Sequence, residues 1–254
     1  MLIDTHCHLY LSEFEKDIDA VMSNAFKNNV HQFYLPSINS ETTIDLLQLV
    51  EKYPEHCFPM MGLHPCYVKE NYADELSLVE SWLKKRKFSA IGECGLDFYW
   101  DKTFVKEQYI ALDQQIEWAI EYNLPIILHT RKATQETIDV IKKHQCDSLT
   151  GIFHCFGGSI EEAHQIINLG FYVGIGGVVT YKNAGLDVVL GAIDLKHIVL
   201  ETDAPYLSPI PFRGKRNESA YIKNIAEKIS EIKKCSVEDI EQITTSNAKK
   251  IFKS

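Results

Sequence analysis

Six side chains of types that bind metal ions or activate water follow short apolar segments of this sequence. They are four histidines and two acids: His6, His8, Glu93, His129, His154 and Asp203. Each preceding segment is only a few residues long and aliphatic or β-branched, which is typical of buried parallel strands. Imidazole nitrogens and carboxylate oxygens are common ligands of zinc and related divalent ions. The six residues therefore predict a metal site assembled from the ends of several strands.

His6 and His8 form the strongest single motif, because residues i and i+2 at a strand end point the same way and can chelate one ion. Taken alone the pair is weak evidence, since a lone histidine is more often a hydrogen-bonded structural residue. The other four groups strengthen it, because independent structural roles would not require polar residues at matching strand ends. Histidines at strand starts, in helices or in turns are interpreted as surface or capping residues; they are His31, His56, His144, His164 and His197.

Six ligands exceed the three protein ligands and one water of a typical catalytic zinc site, so the sequence favours two divalent ions. A carboxylate can bridge two ions, which nominates Glu93 as the bridge. The expected division of the other ligands is His6, His8 and Asp203 on one ion, with His129 and His154 on the other. Imidazole-rich ligation favours zinc or manganese, and magnesium fits only the more oxygen-rich position, so the identity of the ions stays open.

Formal charges indicate an anionic substrate. Two divalent ions outweigh Glu93 and Asp203 by a net charge of +2 when the histidines are neutral. Paired ions can hold the attacking and leaving oxygens of a phosphodiester, and we expect Asp203 also to accept a proton from the attacking water. His64, after the third apolar segment, is a candidate substrate contact. Arg131 could contact a phosphate, or it could pair with a surface acid such as Glu136; the sequence leaves both open.

A fold that brings several strand ends together must position these residues. Eight segments have the character of buried strands, near residues 2–6, 32–36, 57–62, 89–93, 125–129, 150–154, 171–175 and 197–201. Helical spacing lies between them, and the length of 254 residues matches the roughly 250 of a typical barrel. We therefore predict an α/β fold, a single (β/α)₈ TIM-barrel domain over residues 1–254, with the site at the carboxyl ends of the strands. Residues 204–217, rich in proline, predict an ordered loop over the mouth.

The acidic composition limits how the protein can hold a nucleic acid. The net charge is −9, and non-specific duplex affinity depends on many basic residues that neutralise phosphates. Any contact with nucleic acid should therefore be local. The basic residues expected near the mouth are Arg131, Lys132, Arg213, Lys215 and Arg216.

The cysteines and the apolar segments indicate the compartment. Seven cysteines at scattered spacings, with no CxxC pair, favour reduced thiols. We expect Cys7, Cys94 and Cys155 to point away from the metals, because adjacent residues of a strand face opposite sides. The sequence has no run of about 18 apolar residues and no signal-like start. These observations predict a cytoplasmic protein without membrane association, and a monomer is the favoured oligomeric state.

The candidate residues lie in six longer sequence segments that are distributed over nearly the full chain. The segments are IDTHCHL, MGLHP, IGECGLDFYW, LPIILHTR, GIFHCFGG and LETDAPYLSP. In this order they resemble the signature segments of the TatD family of metal-dependent deoxyribonucleases, within the amidohydrolase-like metal-dependent hydrolase superfamily. The resemblance implies a (β/α)₈ barrel, a binuclear metal centre and hydrolysis of DNA, with exonuclease action on single-stranded ends in relatives. It implies ligand roles for the six residues above and a substrate role for His64. One departure is Ser219, where the family's RNEP segment has proline.

Two other functions are compatible with parts of this pattern. An amidohydrolase acting on a small cyclic amide, lactone or nucleobase uses the same barrel, but many such enzymes bridge their ions with a carbamylated lysine on strand four, where this chain has Glu93. A metal-stabilised binding protein would enclose its ion with ligands close in sequence, whereas these extend from His6 to Asp203. The sequence leaves open whether the substrate is DNA or RNA and whether cleavage is exonucleolytic or endonucleolytic. It also leaves open the polarity of cleavage and the biological pathway.

Overall fold

Eight parallel strands alternate with helices in the computed structural model, which describes residues 1–253. The strands are β1 (Leu2–Asp4), β2 (Val30–Pro36), β3 (Cys57–Met60), β4 (Ile91–Asp97), β5 (Ile126–Arg131), β6 (Gly151–Phe153), β7 (Tyr172–Ile175) and β8 (Ile198–Leu200). They pair in sequence order as two arcs, β1 to β3 and β4 to β8. Most strand residues are buried, as the continuous apolar segments predict for a sheet covered on both faces.

Backbone contacts join the two arcs at both gaps. Met61 pairs with Ile91 between β3 and β4. On the other side, the N–H of Thr5 donates to the Leu200 carbonyl at 3.1 Å. The predicted α/β class and (β/α)₈ barrel are thereby confirmed, while the assignment of one domain to the whole chain stays a prediction.

Nine α-helices surround the strands of the described residues. They are α1 (Ile18–Lys27), α2 (Thr43–Lys52), α3 (Tyr72–Lys85), α4 (Val105–Glu121), α5 (Thr134–His144), α6 (Ile160–Asn168), α7 (Leu186–Ala192), α8 (Ile222–Lys233) and α9 (Val237–Phe252). Capping boxes at Ser159 and Ser236 fix the starts of α6 and α9. The first segment of helical spacing, between β1 and β2, is divided into a 3₁₀ turn, Ser12–Phe14, and α1. None of these helices combines the length and apolar character that a membrane crossing needs.

The barrel interior is a small apolar cluster at the amino ends of the strands. It contains Ile3, Tyr34, Met60, Ile127, Ile152 and Val199. Phe252 of α9 stacks on Tyr34 with ring centroids 3.6 Å apart and so packs against this end. A larger core fills the space between strands and helices. The polar residues of the candidate site lie towards the opposite end, within β4 and β5 or in the loops that follow the other strands.

Candidate metal centre

Glu93 lies at the middle of the candidate site. β4 continues to Asp97, so Glu93 lies within the strand and not at its end, where the sequence placed it. Between Ile91 and Cys94 the register with β5 shifts, since β4 advances three residues while β5 advances two. A bulge of this kind re-aims a side chain. Here it accompanies a carboxylate that borders the cavity in the barrel mouth with only 3% of its side chain exposed.

Five imidazoles surround the Glu93 carboxylate, and each of its oxygens faces a different group. The nearest nitrogens are those of His6 (3.1 Å) and His8 (3.5 Å) beside Oε2, and of His129 (2.9 Å), His154 (2.9 Å) and His64 (3.4 Å) beside Oε1. A carboxylate with ligand atoms on both sides has the arrangement needed to bridge two cations.

Asp203 completes a second cluster, with the HxH pair. Its Oδ1 lies 3.4 Å from His8 Nε2 and 3.8 Å from His6 Nε2. Asp203 follows β8 in a left-handed conformation (φ 57°), and its N–H donates to the His6 carbonyl at 2.9 Å. The preceding residue, Thr202, donates its N–H and its hydroxyl to the buried carboxylate of Asp4 at 2.9 and 2.6 Å. These bonds fix the position of Asp203 relative to β1.

A hydrogen bond to the outer ring nitrogen of His8 directs the lone pair of its other nitrogen into the site. The Tyr10 hydroxyl donates to the Pro36 carbonyl at 2.6 Å and therefore accepts from His8 Nδ1 at 3.1 Å. In the neutral tautomer that carries its proton on Nδ1, the lone pair of His8 Nε2 lies on the side of the site, and Nε2 is 3.3 Å from Nε2 of His6. Two imidazole nitrogens that meet at this distance need a proton or a cation between them. The donor set therefore fits divalent metal ions.

Three sets of ligand atoms lie within 4.8 Å of one another in the described residues. They are His6, His8 and Asp203; His6, Glu93 and His154; and His64, Glu93 and His129. The first set is the one expected for one ion. His154 stacks on His6 with centroids 3.8 Å apart, while His129 lies closer to His64, at 4.4 Å, than to His154, at 5.7 Å. The expected pairing of His129 with His154 on the second ion therefore stays a prediction, and His64 lies near enough to join the ligands.

Asp97, which the sequence analysis missed, orients His129. Its Oδ2 accepts from His129 Nε2 at 3.0 Å, which leaves His129 Nδ1 facing Glu93. The Asp97 side chain is only 1% exposed. A second acid in the segment IGECGLD, four residues after Glu93, was the signal that could have revealed it.

Glu201, also missed, lies behind His154. Its Oε1 is 3.5 Å from His154 Nδ1 and accepts a short hydrogen bond from the N–H of Cys155. Gly174 on β7 provides the space, because a Cβ there would lie 2.1 Å from Glu201 Oε2. Glu201 is fully buried, two residues before Asp203 in the segment LETD.

The buried acids and imidazoles shift one another's pKa. Burial opposes ionisation of Glu93, but His154, His64 and His6 outweigh it and hold the Glu93 pKa well below its usual range. Burial likewise opposes protonation of His154, yet the Glu93 and Glu201 carboxylates raise the His154 pKa well above its usual value. For His6 burial dominates and lowers the pKa. The buried carboxylates of the centre are thus stabilised by positive charge, which a protonated imidazole or a bound cation supplies.

An open cavity of about 620 Å³ extends from this centre to solvent. His64 and Arg131 line it, and their role as substrate contacts stays a prediction. Arg131 forms no ion pair with Glu136 or any other acid of residues 1–253; its guanidinium carbon lies 4.1 Å from the centre of the Tyr99 ring. The positive group at the rim is therefore free to meet an anion.

Arg216, another basic residue expected near the mouth, is already paired with acidic side chains. Arg216 forms a forked contact with Asp17 (2.8 and 2.7 Å) and a further bond with Glu218 at 3.1 Å, so it anchors the loop and is not free for substrate. Asn217 holds the same loop through carbonyls of Thr202 and Tyr206. Residues 204–217 are thus the ordered loop that was predicted.

Two of the three cysteines behave as predicted. The thiols of Cys7 and Cys94 point to carbonyls of Tyr34 and Ile127, away from the ligands. Cys155 instead borders the cavity, which corrects the expectation. The alternation of strand residues does not apply to it, because β6 ends at Phe153 and Cys155 has a left-handed φ of 47°.

The two buried acids behind the imidazoles yield a first prediction. Asp97→Asn and Glu201→Gln are each expected to weaken metal binding about 10- to 100-fold, the usual effect of removing a partner that orients a metal-binding histidine. Competition with a chelating dye measures the dissociation constants. Asp113→Asn is the matched control, because Asp113 contacts His144 at 2.9 Å on the surface, and it should leave them unchanged. Equal affinities for all four proteins would contradict the assignment.

Comparison with known proteins gives one consistent result. The family model described as TatD related DNase matches residues 3–253. An uncharacterized metal-dependent hydrolase of Bacillus subtilis, YabD, is 37% identical over 254 residues, covering 100% of this chain and 99% of that protein. The 3′-5′ ssDNA/RNA exonuclease TatD of Pantoea ananatis is 30% identical, with 99% of both chains covered. The crystal structure of the TatD homologue YjjV of Escherichia coli superposes with a TM-score of 0.94 at 29% identity, covering 100% and 98% of the chains.

Proposed function

Because the chain belongs to the TatD-related DNase family of metal-dependent hydrolases, we propose that it hydrolyses phosphodiester bonds of DNA at the ends of single strands. The observation that carries the proposal is the position of Glu93. Its carboxylate lies between two groups of imidazoles at the base of an open cavity, and Arg131 is the uncompensated cation at the rim of that cavity.

The metal-binding residues we propose are the six identified in the sequence. Two divalent ions bound there would lower the pKa of a water molecule and neutralise charge on the phosphate. The proposed ligands are His6, His8 and Asp203 on one side, His129 and His154 on the other, and Glu93 between them. Zinc, manganese and magnesium are the candidate ions.

The remaining steps belong to side chains that face the cavity. Asp203, with 14% of its side chain exposed, is placed to accept the proton of the attacking water, whereas Glu93 is almost inaccessible. In this proposal His64, which lines the cavity, holds a phosphate oxygen, and Arg131 contacts a neighbouring phosphate through its guanidinium fork. Glu93 would contribute to catalysis as the shared ligand between the two proposed sets of metal-binding residues.

Charge and cavity size support a strand end over a long duplex. The net charge of −9 and the engagement of Arg216 by acids leave few basic groups to hold phosphates. The cavity of about 620 Å³ is within the size range of small-ligand pockets and can hold a terminal nucleotide. The name of the Pantoea relative includes single-stranded DNA and RNA, which supports nucleic acid as the substrate class.

Digestion of end-labelled oligonucleotides tests this proposal. Protein reconstituted with manganese, zinc or magnesium should shorten single-stranded DNA from one end, and excess chelator should abolish the reaction until metal is restored. Duplex DNA, RNA and a dihydroorotate-like cyclic amide serve as comparison substrates. Hydrolysis of the cyclic amide but of no oligonucleotide would favour the amidohydrolase alternative, and full activity with a metal-free site would contradict both.

A further inference from the structure

An exposed aromatic ring at the rim of the cavity, Trp100, has a second exposed ring, Tyr99, next to it. Trp100 borders the cavity with 67% of its surface accessible, and Tyr99 beside it is 50% accessible. Trp100 is the most exposed large apolar side chain of the described residues. The two rings meet edge to face, with centroids 4.9 Å apart. Because exposed aromatic surface of this extent is unfavourable in water, it indicates a surface that becomes covered.

Arg131 lies against the same rings. Its guanidinium carbon is 4.1 Å from the Tyr99 centroid and 5.1 Å from the Trp100 centroid. The cation–π contact orients the guanidinium without consuming its hydrogen-bond donors, which stay available for an anion. An aromatic face and a positive fork therefore lie side by side. This is the combination that a nucleotide requires, since a nucleotide has a flat base and a charged phosphate.

The turn that carries the rings is fixed to the metal centre. Asp97 Oδ1 accepts the backbone N–H groups of Tyr99 at 2.9 Å and Trp100 at 3.1 Å, while its Oδ2 accepts from His129 Nε2. The N–H of Phe98 donates to the Arg131 carbonyl at 2.9 Å, which joins the turn to β5. One carboxylate thus sets the position of the exposed rings relative to a proposed metal ligand.

We propose that Trp100 is a stacking platform for an unpaired nucleobase of the nucleotide next to the scissile phosphodiester, with Arg131 contacting the phosphate of that nucleotide. This inference rests on the proposed function and specifies its substrate class further. A base in a duplex is stacked and paired with its neighbours, so it reaches Trp100 only after leaving the helix. The platform therefore favours single-stranded ends over paired ones.

Fluorescence quenching tests the stacking without requiring turnover. The probe is a short oligothymidylate with phosphorothioate linkages, compared with the same backbone carrying abasic tetrahydrofuran units. The thymine strand should quench tryptophan emission, and the abasic strand should not. The quenching should disappear in Trp100→Phe and persist in Trp82→Phe, the matched control on α3 away from the cavity. Undiminished quenching in Trp100→Phe, or loss of quenching in Trp82→Phe, would overturn the proposal.

A kinetic comparison measures the contribution to strand recognition. Trp100→Ala should raise KM for oligothymidylate roughly 5- to 150-fold, the range that stacking of one base contributes. On a strand with an abasic unit at the contacted position, the same substitution should change KM less than about two-fold, because there is no base to stack. Equal losses on both strands would mean that Trp100 does not contact a base.

The two readouts separate this inference from the proposed function. If the wild-type protein cleaves no oligonucleotide but thymine strands still quench through Trp100, the phosphodiesterase proposal fails and the platform stands. If the wild-type protein cleaves abasic and natural strands with equal KM and without Trp100-dependent quenching, the platform fails and the hydrolase proposal stands.

Discussion

Replacing Asp203 with asparagine is expected to lower kcat at least about 10²-fold, the low end of what a positioned general base contributes. The substitution keeps the size and shape of the side chain but removes its basicity. Asparagine is among the residues that tolerate a positive φ, so the left-handed conformation of residue 203 (φ 57°) should persist. Cleavage rates at saturating oligonucleotide, together with circular dichroism, measure the effect on catalysis and on folding.

The control for this substitution is Asp187→Asn at the exposed start of α7, which should leave kcat unchanged. Metal content must be measured in parallel, because Asp203 is also a proposed ligand. A folded Asp203→Asn protein with a full complement of metal and an undiminished kcat would place the base elsewhere. A loss of kcat that excess metal restores would assign Asp203 a ligand role alone.

The positions of the proposed ligands follow from the sequence where strand ends decide them. His6 and His8 after β1, His154 after β6 and Asp203 after β8 could be placed because a short apolar strand ends within four residues before each. Glu93 is different, since β4 runs four residues beyond it. Its entry into the mouth depends on a local register shift with β5, which no periodicity in a single segment reveals.

The residues that support the site are harder to predict, because their partners are distant in the chain. Glu201, directly after β8, is explained only by the open space over Gly174 on β7 and by His154, which follows β6. Arg216 resembled a substrate contact until its pairing with Asp17, almost two hundred residues away, could be seen. Charge and sequence motifs can identify such residues as candidates. Only the tertiary contacts show whether their charged groups are already paired within the protein.

Glu93 is the residue on which the whole centre depends, because each oxygen of its carboxylate faces a different set of imidazoles. Oε2 lies beside His6 and Oε1 beside His154. A neutral amide has only one oxygen and no negative charge, so it could not bind a cation on each side as the carboxylate can. The pKa of Glu93 is held well below its usual range by those imidazoles against the effect of burial, and the group is therefore ionised at neutral pH. Removing the charge should weaken metal binding on both sides at once.

Glu93→Gln is accordingly expected to reduce metal affinity more than the roughly 10- to 100-fold expected for Glu201→Gln, which only removes an orienting partner. Cleavage of single-stranded DNA should fall to the level seen in excess chelator. Metal analysis after dialysis and chelator competition give the affinities, and oligonucleotide digestion gives the activity. Glu121→Gln, at the exposed end of α4, is the matched control and should bind metal and cleave as the wild type does. If Glu93→Gln retained both ions with wild-type affinity, the bridging role would be wrong, because an uncharged side chain in that position cannot hold two cations together.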